Sequence, residues 1–164
     1  MQISKGVEWA CHAVALMTAL PSDRVLKADK LAQYHGVPTA YMAKQLQALS
    51  KAGVIHSSRG ARGGYRLAKA PMDINLWDIT AAIEGNKQVF RCSEIRQNGP
   101  CPASKPSCKN PCAIASSFHD AEMAFRASLR DVSLMKIATQ VMQIKTAEEI
   151  AAMMQWIMNE SIET

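Results

Sequence analysis

Apolar residues recur at helical spacing through most of this chain and follow a strand-like pattern in only one short stretch. Between residues 3 and 20, Ile3, Val7, Ala10 or Cys11, Val14 and Met17 make one stripe, and Pro21 stops it. A second helical pattern over residues 27–35 carries Leu31, Ala32 and Tyr34 and ends at Gly36, placed for the left-handed residue that closes many helices. Pro38 and Thr39 open a third helix that runs to Gly53, with Thr39 placed to cap it and Met42, Leu46 and Leu49 on its inner face. Two short helices joined by His35-Gly36-Val37-Pro38 form a helix-turn-helix, whose second helix turns Thr39, Ala40, Tyr41, Lys44, Gln45 and Lys51 outward. On the turn alone, a plain helical hairpin fits equally well.

The residues beyond the third helix favour the DNA-binding motif. Residues 54–58 and 65–68 read as strands, and Arg59-Gly60-Ala61-Arg62-Gly63-Gly64 between them as a flexible basic tip. Such a hairpin attached to a helix-turn-helix is a wing. Its glycines let the tip enter a narrow groove, and its arginines favour the negative potential found there. A nucleotide-binding phosphate loop fits poorly, because the stretch lacks the Gly-Lys-Ser/Thr ending and no helix follows it directly.

Residues 75–85 read as a further capped helix. A long one from Ala113 to Ser128 aligns Ile114, Phe118, Ala121 or Glu122, Phe125 and Leu129. With the first helix it carries more apolar surface than a small winged domain covers, which predicts a homodimer. Thr146 and Glu149 form a capping box for a terminal helix through Ile157. The predicted class is mainly α, a winged helix-turn-helix with a two-stranded wing and a long dimerisation helix. Residues 1–85 would form the DNA-binding domain, 86–112 a cysteine-bearing loop, and 113–164 the dimerisation and C-terminal helices.

Charge sharpens this picture. The net charge is only +5, yet residues 24–70 hold nine Lys/Arg against the single acid Asp29. That segregation is the footprint of a nucleic-acid face. No nucleophile–base constellation points to an enzyme. The first apolar stretch is interrupted by Lys5, Glu8 and His12, unlike a signal peptide, and no apolar run approaches the roughly 20 residues of a membrane span, so a cytoplasmic location without membrane partners is expected.

Four of the five cysteines lie between Cys92 and Cys112, spaced C-x8-C-x6-C-x3-C on a segment rich in Pro, Gly, Ser and Asn. Thiols on a turn-rich loop suit an iron–sulfur cluster, zinc or one another. An all-cysteine zinc site of Cys92, Cys101, Cys108 and Cys112 and a Cys101–Cys108 disulfide switch are both open on the residues alone. Upstream, Glu8 and His12 stand four apart on one helix face and add two more ligand-type groups.

The phrase LxALxKAGVIxSxRGxxGGYRLA, followed by a helix and a cysteine loop, resembles the bacterial winged-helix iron–sulfur repressors that include IscR, NsrR and RsrR. The likeness runs from Ile3 to about Leu134 and is most specific from Gln47 to Leu67. It implies a homodimeric repressor on pseudo-palindromic double-stranded DNA, with affinity governed by a cluster. Major-groove contacts would come from Thr39, Tyr41, Lys44 and Gln45, and wing contacts from Arg59, Arg62 and Arg66. The cysteine spacing departs from the three-cysteine loops of IscR- and NsrR-like chains. Residues 90–96, with Cys112-Ala113-Ile114, are more similar to the RsrR branch. That branch implies a [2Fe–2S] cluster on Cys92 and Cys112 of one subunit and Glu8 and His12 of the other, with Trp9 a candidate gate. Cys101 and Cys108 are the alternative ligands, and a [4Fe–4S] cluster or zinc the alternative occupant. Other readings are a winged regulator without a cluster, sensing through zinc or thiols, and a winged domain that binds a partner protein.

Overall fold

A computed structural model describes residues 2–164. Helix α1 (Lys5–Met17) is two-faced: Val7, Ala10, Ala13, Val14, Leu16 and Met17 are buried, while Glu8 and His12 are exposed. It packs against α2 (Ala28–His35), α3 (Thr39–Lys51), α4 (Leu76–Glu84) and α6 (Leu134–Ile144). Small residues on its inner face allow α3 close. A Cβ on Gly6 would stand only 3.0 Å from Gln45 Oε1. Around this contact lie the fully buried Leu31, Met42, Leu46, Leu49, Ile74, Ile79, Leu134 and Ile157. Burying each such side chain is worth about 1.5–3 kcal/mol.

The helix-turn-helix forms as its turn residues dictate. Gly36 adopts φ 63°, the left-handed conformation that ends α2, and the Val37 N–H returns to the Ala32 carbonyl at 3.0 Å. Thr39 differs from expectation: it is the first helical residue of α3, with Pro38 in the capping position and no side-chain cap. Strands β2 (Ile55–Ser57) and β3 (Tyr65–Leu67) pair antiparallel, with His56 opposite Arg66. Leu26 and Tyr65 exchange backbone hydrogen bonds at 3.1 and 2.9 Å, which fastens the wing's base to the core. Helix α4 carries the reciprocal Asn75–Asp78 capping box.

The C-terminal third differs more. Helix α5 (Ala113–Arg130) is followed by α6, a helix that the hydrophobic pattern did not predict. No Gly or Pro marks the break. Instead Ser133 Oγ accepts from the Lys136 N–H, and the Leu134 N–H bonds the Ile74 carbonyl at 2.7 Å. After α7 (Ala147–Glu160), β4 (Ile162–Glu163) pairs antiparallel with β1 (Arg24–Val25). Arg24 clamps this tail: it donates to Ser161 Oγ at 2.6 Å, the Ser161 carbonyl at 2.7 Å, the Met158 carbonyl at 3.1 Å and Glu163 at 2.9 Å. Lys30 pairs with Glu160 at 2.6 Å, and Tyr34 packs on Trp156. Leu134, Met153 and Ile157 join α1–α4 in one core, so packing is continuous across residue 112.

Helix α5 is poorly covered. Its only buried residue is Glu122, while Ile114, Phe118 and Met123 are exposed. Glu122 accepts the Val89 N–H at 3.1 Å and pairs with Arg126, whose guanidinium lies 4.6 Å from the Trp77 ring centroid. The Val89 bond, then Arg126, holds the Glu122 carboxyl below its usual range.

These contacts make two outcomes measurable. Arg24→Ala removes all four bonds from the Arg24 side chain to the tail at once and should cost about 1–3 kcal/mol in urea unfolding. Because Glu122 titrates lower when folded, its contribution is present above about pH 4.5 and lost as pH falls through the depressed value. Stability measured against pH should therefore fall less steeply on the acid side in Glu122→Gln.

Candidate functional site

Helix α3 exposes Thr39, Ala40, Tyr41, Lys44, Gln47 and Lys51. Gln45 is a correction to the sequence reading: only 7% exposed, it sits against Gly6 of α1 and is not offered to a groove. Positions 42, 45, 46 and 49 share the inner face of a 3.6-residue repeat, so Gln45 flanks the core. Gln47, three residues after Lys44 and four before Lys51, lies on the outward stripe that the same repeat predicts.

At the wing tip Arg59 and Arg62 are exposed, and Gly60 takes φ 96°. The Ser58 N–H bonds the Gly64 carbonyl at 2.9 Å, closing the loop. A Cβ on Gly63 would fall 2.3 Å from the Ser58 carbonyl oxygen, so the turn has no room for a side chain there. Arg66 is exposed but donates to the Ser22 carbonyl at 2.9 Å. Not all of the basic segment is free. Arg24 and Lys30 are ion-paired with C-terminal acids, whereas Lys44, Lys51, Arg59 and Arg62 have no ion pair among the described residues.

Glu8 and His12 lie on the outer face of α1. Between them Trp9 is half-buried and meets the Tyr41 ring edge-on, with centroids 5.9 Å apart. The His12 ring stands 5.6 Å from that of His35, which burial and the neighbouring His12 hold down to about pKa 4. Both histidines border a cavity of ≈ 390 Å³ between α1, α2, α6 and α7.

The cysteine loop is anchored at its ends. Phe90 stacks on Phe118 with centroids 4.5 Å apart, and Cys92 borders a cavity of ≈ 380 Å³ shared with His119 and Asp120. Cys112 is the N-cap of α5, its Sγ accepting the Ala115 N–H at 3.4 Å. That bond first, then Cys92 and Arg96, pulls the Cys112 thiol below its ordinary range. Cys92 Sγ accepts the Glu94 N–H at 3.4 Å. Cys92 thus lies near enough to Cys112 to favour its anion, although 19 residues separate them in the chain. Cys101 is exposed and Cys108 half-buried. Cys11, by contrast, is pushed up to about 11 by burial and is a poor thiolate.

Among the described residues no group of three or more His, Cys, Asp and Glu side chains converges on one point. One chain thus brings together Cys92 and Cys112 but neither the four-cysteine set nor Glu8 and His12 with the thiols. Two neighbouring thiols, one with its anion favoured, and a carboxylate with an imidazole on an open helix face are donor types that suit iron or zinc. Arg96 is a residue that the sequence reading missed: its guanidinium grips Glu94 within the loop, and nothing in spacing or periodicity announces it.

Known proteins match this chain in sequence and in fold. The family model Rrf2, described as an iron-dependent transcriptional regulator, matches residues 3–140. A putative helix-turn-helix transcriptional regulator of Aquifex aeolicus (strain VF5) is 38% identical over 109 residues, spanning 62% of this chain and 74% of its own. The regulator NsrR of Halalkalibacterium halodurans is 25% identical over 141 residues, 85% of this chain and 91% of that one. In three dimensions the chain is similar to T. potens IscR, with a TM-score of 0.65 at 21% identity over 90% of this chain and 93% of the other.

The exposed face yields a paired expectation for binding to promoter DNA. Lys44→Ala should weaken binding on all sequences and flatten the salt dependence by about one unit of slope, as loss of a phosphate contact does. Gln47→Ala should instead relax preference at one base position, whereas Gln45→Ala should act on stability. Retardation assays on specific and scrambled duplexes across a salt series, with melting curves, separate the three.

Proposed function

The chain belongs to the Rrf2 family of DNA-binding transcriptional regulators, and on that premise we propose that it is a homodimeric repressor whose operator affinity is set by an iron–sulfur cluster shared between subunits. Cys92 and Cys112 of one chain would hold the cluster together with Glu8 and His12 of a second copy. The observation that carries this reading is the division of the donor set. Two thiols meet at the head of α5, while the carboxylate and imidazole stand on the opposite kind of surface, an open helix face. The uncovered apolar residues of α5, Ile114, Phe118 and Met123, support the second copy that such a division requires.

A [2Fe–2S] cluster with histidine ligation supplies one-electron chemistry at a raised potential when bound. The rest falls to the protein's own side chains. Glu8 and His12 are rigidly tied to α1, whose inner face packs on α3. Trp9, next to Glu8, touches Tyr41 on the outward face of α3. A change in how Glu8 and His12 are held would therefore reach Tyr41 and Lys44 through one aromatic contact and one helix packing. Arg59 and Arg62 would secure the adjoining minor groove. The separation of the four loop cysteines favours this reading over a four-thiolate zinc site.

Subunit mixing tests the shared site. Homodimers of Glu8→Ala/His12→Ala and of Cys92→Ser/Cys112→Ser should both be colourless after anaerobic purification. Mixed dimers of the two should regain one cluster per dimer, visible in absorption and paramagnetic resonance spectra. Colour in the first homodimer would contradict the ligand set, and no recovery in the mixed dimer would contradict sharing.

A further inference from the structure

We propose that Arg96 is the positioning residue of the cysteine loop, a clamp that joins its Cys92 end to its Cys112 end and so sets the spacing of the two thiols. The inference deepens the cluster reading in its consequence, but the clamp itself is a property of the protein chain.

The loop needs such a device. Cys92 and Cys112 are separated by residues that form only two short 3₁₀ turns, with Ile95 exposed and no apolar cluster of their own. Closing a flexible loop of this length costs conformational entropy that only specific contacts can offset. Phe90 on Phe118 and Val89 on Glu122 tie the chain before Cys92 to α5, and the N-cap bond fixes Cys112, yet none of these contacts holds the residues between the two thiols.

Arg96 does span it. Its Nε and one terminal nitrogen form a fork on the Glu94 carboxylate at 2.5 and 2.7 Å. Glu94 in turn gives its backbone N–H to Cys92 Sγ, from a left-handed backbone with φ 54°, the only positive φ outside glycine among the described residues. The same guanidinium donates to the Ser107 carbonyl at 3.4 Å and the Asn110 carbonyl at 3.3 Å, next to Cys108 and two residues before Cys112. The Arg96 carbonyl accepts from the Ala103 N–H at 2.8 Å, which gathers in the middle of the loop. One planar group thus connects three separate points of the segment. Lysine could supply the charge but not the fork, because an ammonium cannot present parallel donors to a carboxylate while reaching two carbonyls.

The spacing of the thiols can be read without a cluster. Phenylarsine oxide bridges two nearby thiols: two As–S bonds form, the oxygen leaves as water with the two thiol protons, and no atom is oxidised or reduced. The full-length cluster-free chain is titrated anaerobically in a Cys101→Ser/Cys108→Ser background, leaving Cys92 and Cys112 as the accessible pair. Arg96→Gln should weaken arsenic binding about tenfold, on the scale of lost preorganisation. Arg96→Lys should lose nearly as much, and Glu94→Gln somewhat less. Melting curves should superpose, because the loop lies outside the core; if Arg96→Gln alone melts early, Glu94→Gln carries the comparison. Equal arsenic binding in parent and Arg96→Gln, or in parent and Glu94→Gln where that variant stands in, overturns the clamp. Parental binding in Arg96→Lys beside loss in Arg96→Gln overturns positioning in favour of charge alone. A parent that never takes up a cluster yet binds arsenic in an Arg96-dependent way removes the cluster reading and supports the clamp.

Discussion

The close seating of α3 on α1 is the constraint on which the rest of the molecule depends. Gly6, Ala10 and Ala13 keep the inner face of α1 shallow, so Gln45, Leu46 and Met42 of the recognition helix lie directly against it. Helices packed at this distance move as a unit, because dense interiors transmit displacement rather than absorb it. The outer face of the same helix carries Glu8 and His12. A single 13-residue helix therefore has an open face, with a carboxylate and an imidazole, and a packed face, and Trp9 sits at their border in contact with Tyr41.

The second organising feature is how the chain divides labour between its halves. The winged part supplies the DNA surface and the Glu8–His12 face. The later part supplies the thiols and then returns, through Arg24 and the β1–β4 pairing, to brace α2 from behind. Two members of the basic segment, Arg24 and Lys30, are consumed in that brace. The positive charge left for DNA is correspondingly concentrated on α3 and the wing tip, where Lys44, Lys51, Arg59 and Arg62 are exposed. Segregated charge in the sequence thus served two purposes, and only burial and partners separate them.

Much of this was legible in the residues. Gly36 and Pro38 announced the helix turn, the Arg-Gly-rich tip announced the wing, and the Thr146–Glu149 pair announced the last helix, because each is a local rule with a local cause. The misses have causes too. Gln45 is polar, and polarity suggested an outward residue, but helical phase placed it beside Leu46 and Leu49 and overrode polarity. Helix α6 was hidden because its start depends on a backbone bond to Ile74, far away in sequence. Arg96 was invisible for the same reason. Its partners are defined only once an irregular loop has closed, and no periodicity marks an irregular loop. The cysteines themselves were plain in the sequence.

If chemistry at the cysteine loop and the α1 face governs the hold of α3 on DNA, the two sites are coupled in free energy. Operator affinity of one protein preparation, measured at matched salt in cluster-oxidised, cluster-reduced and cluster-free forms, tests it most directly. The forms are expected to differ at least about tenfold, or roughly 1.4 kcal/mol of coupling between the two sites. Identical affinity in all three forms, with the salt dependence unchanged, would contradict it.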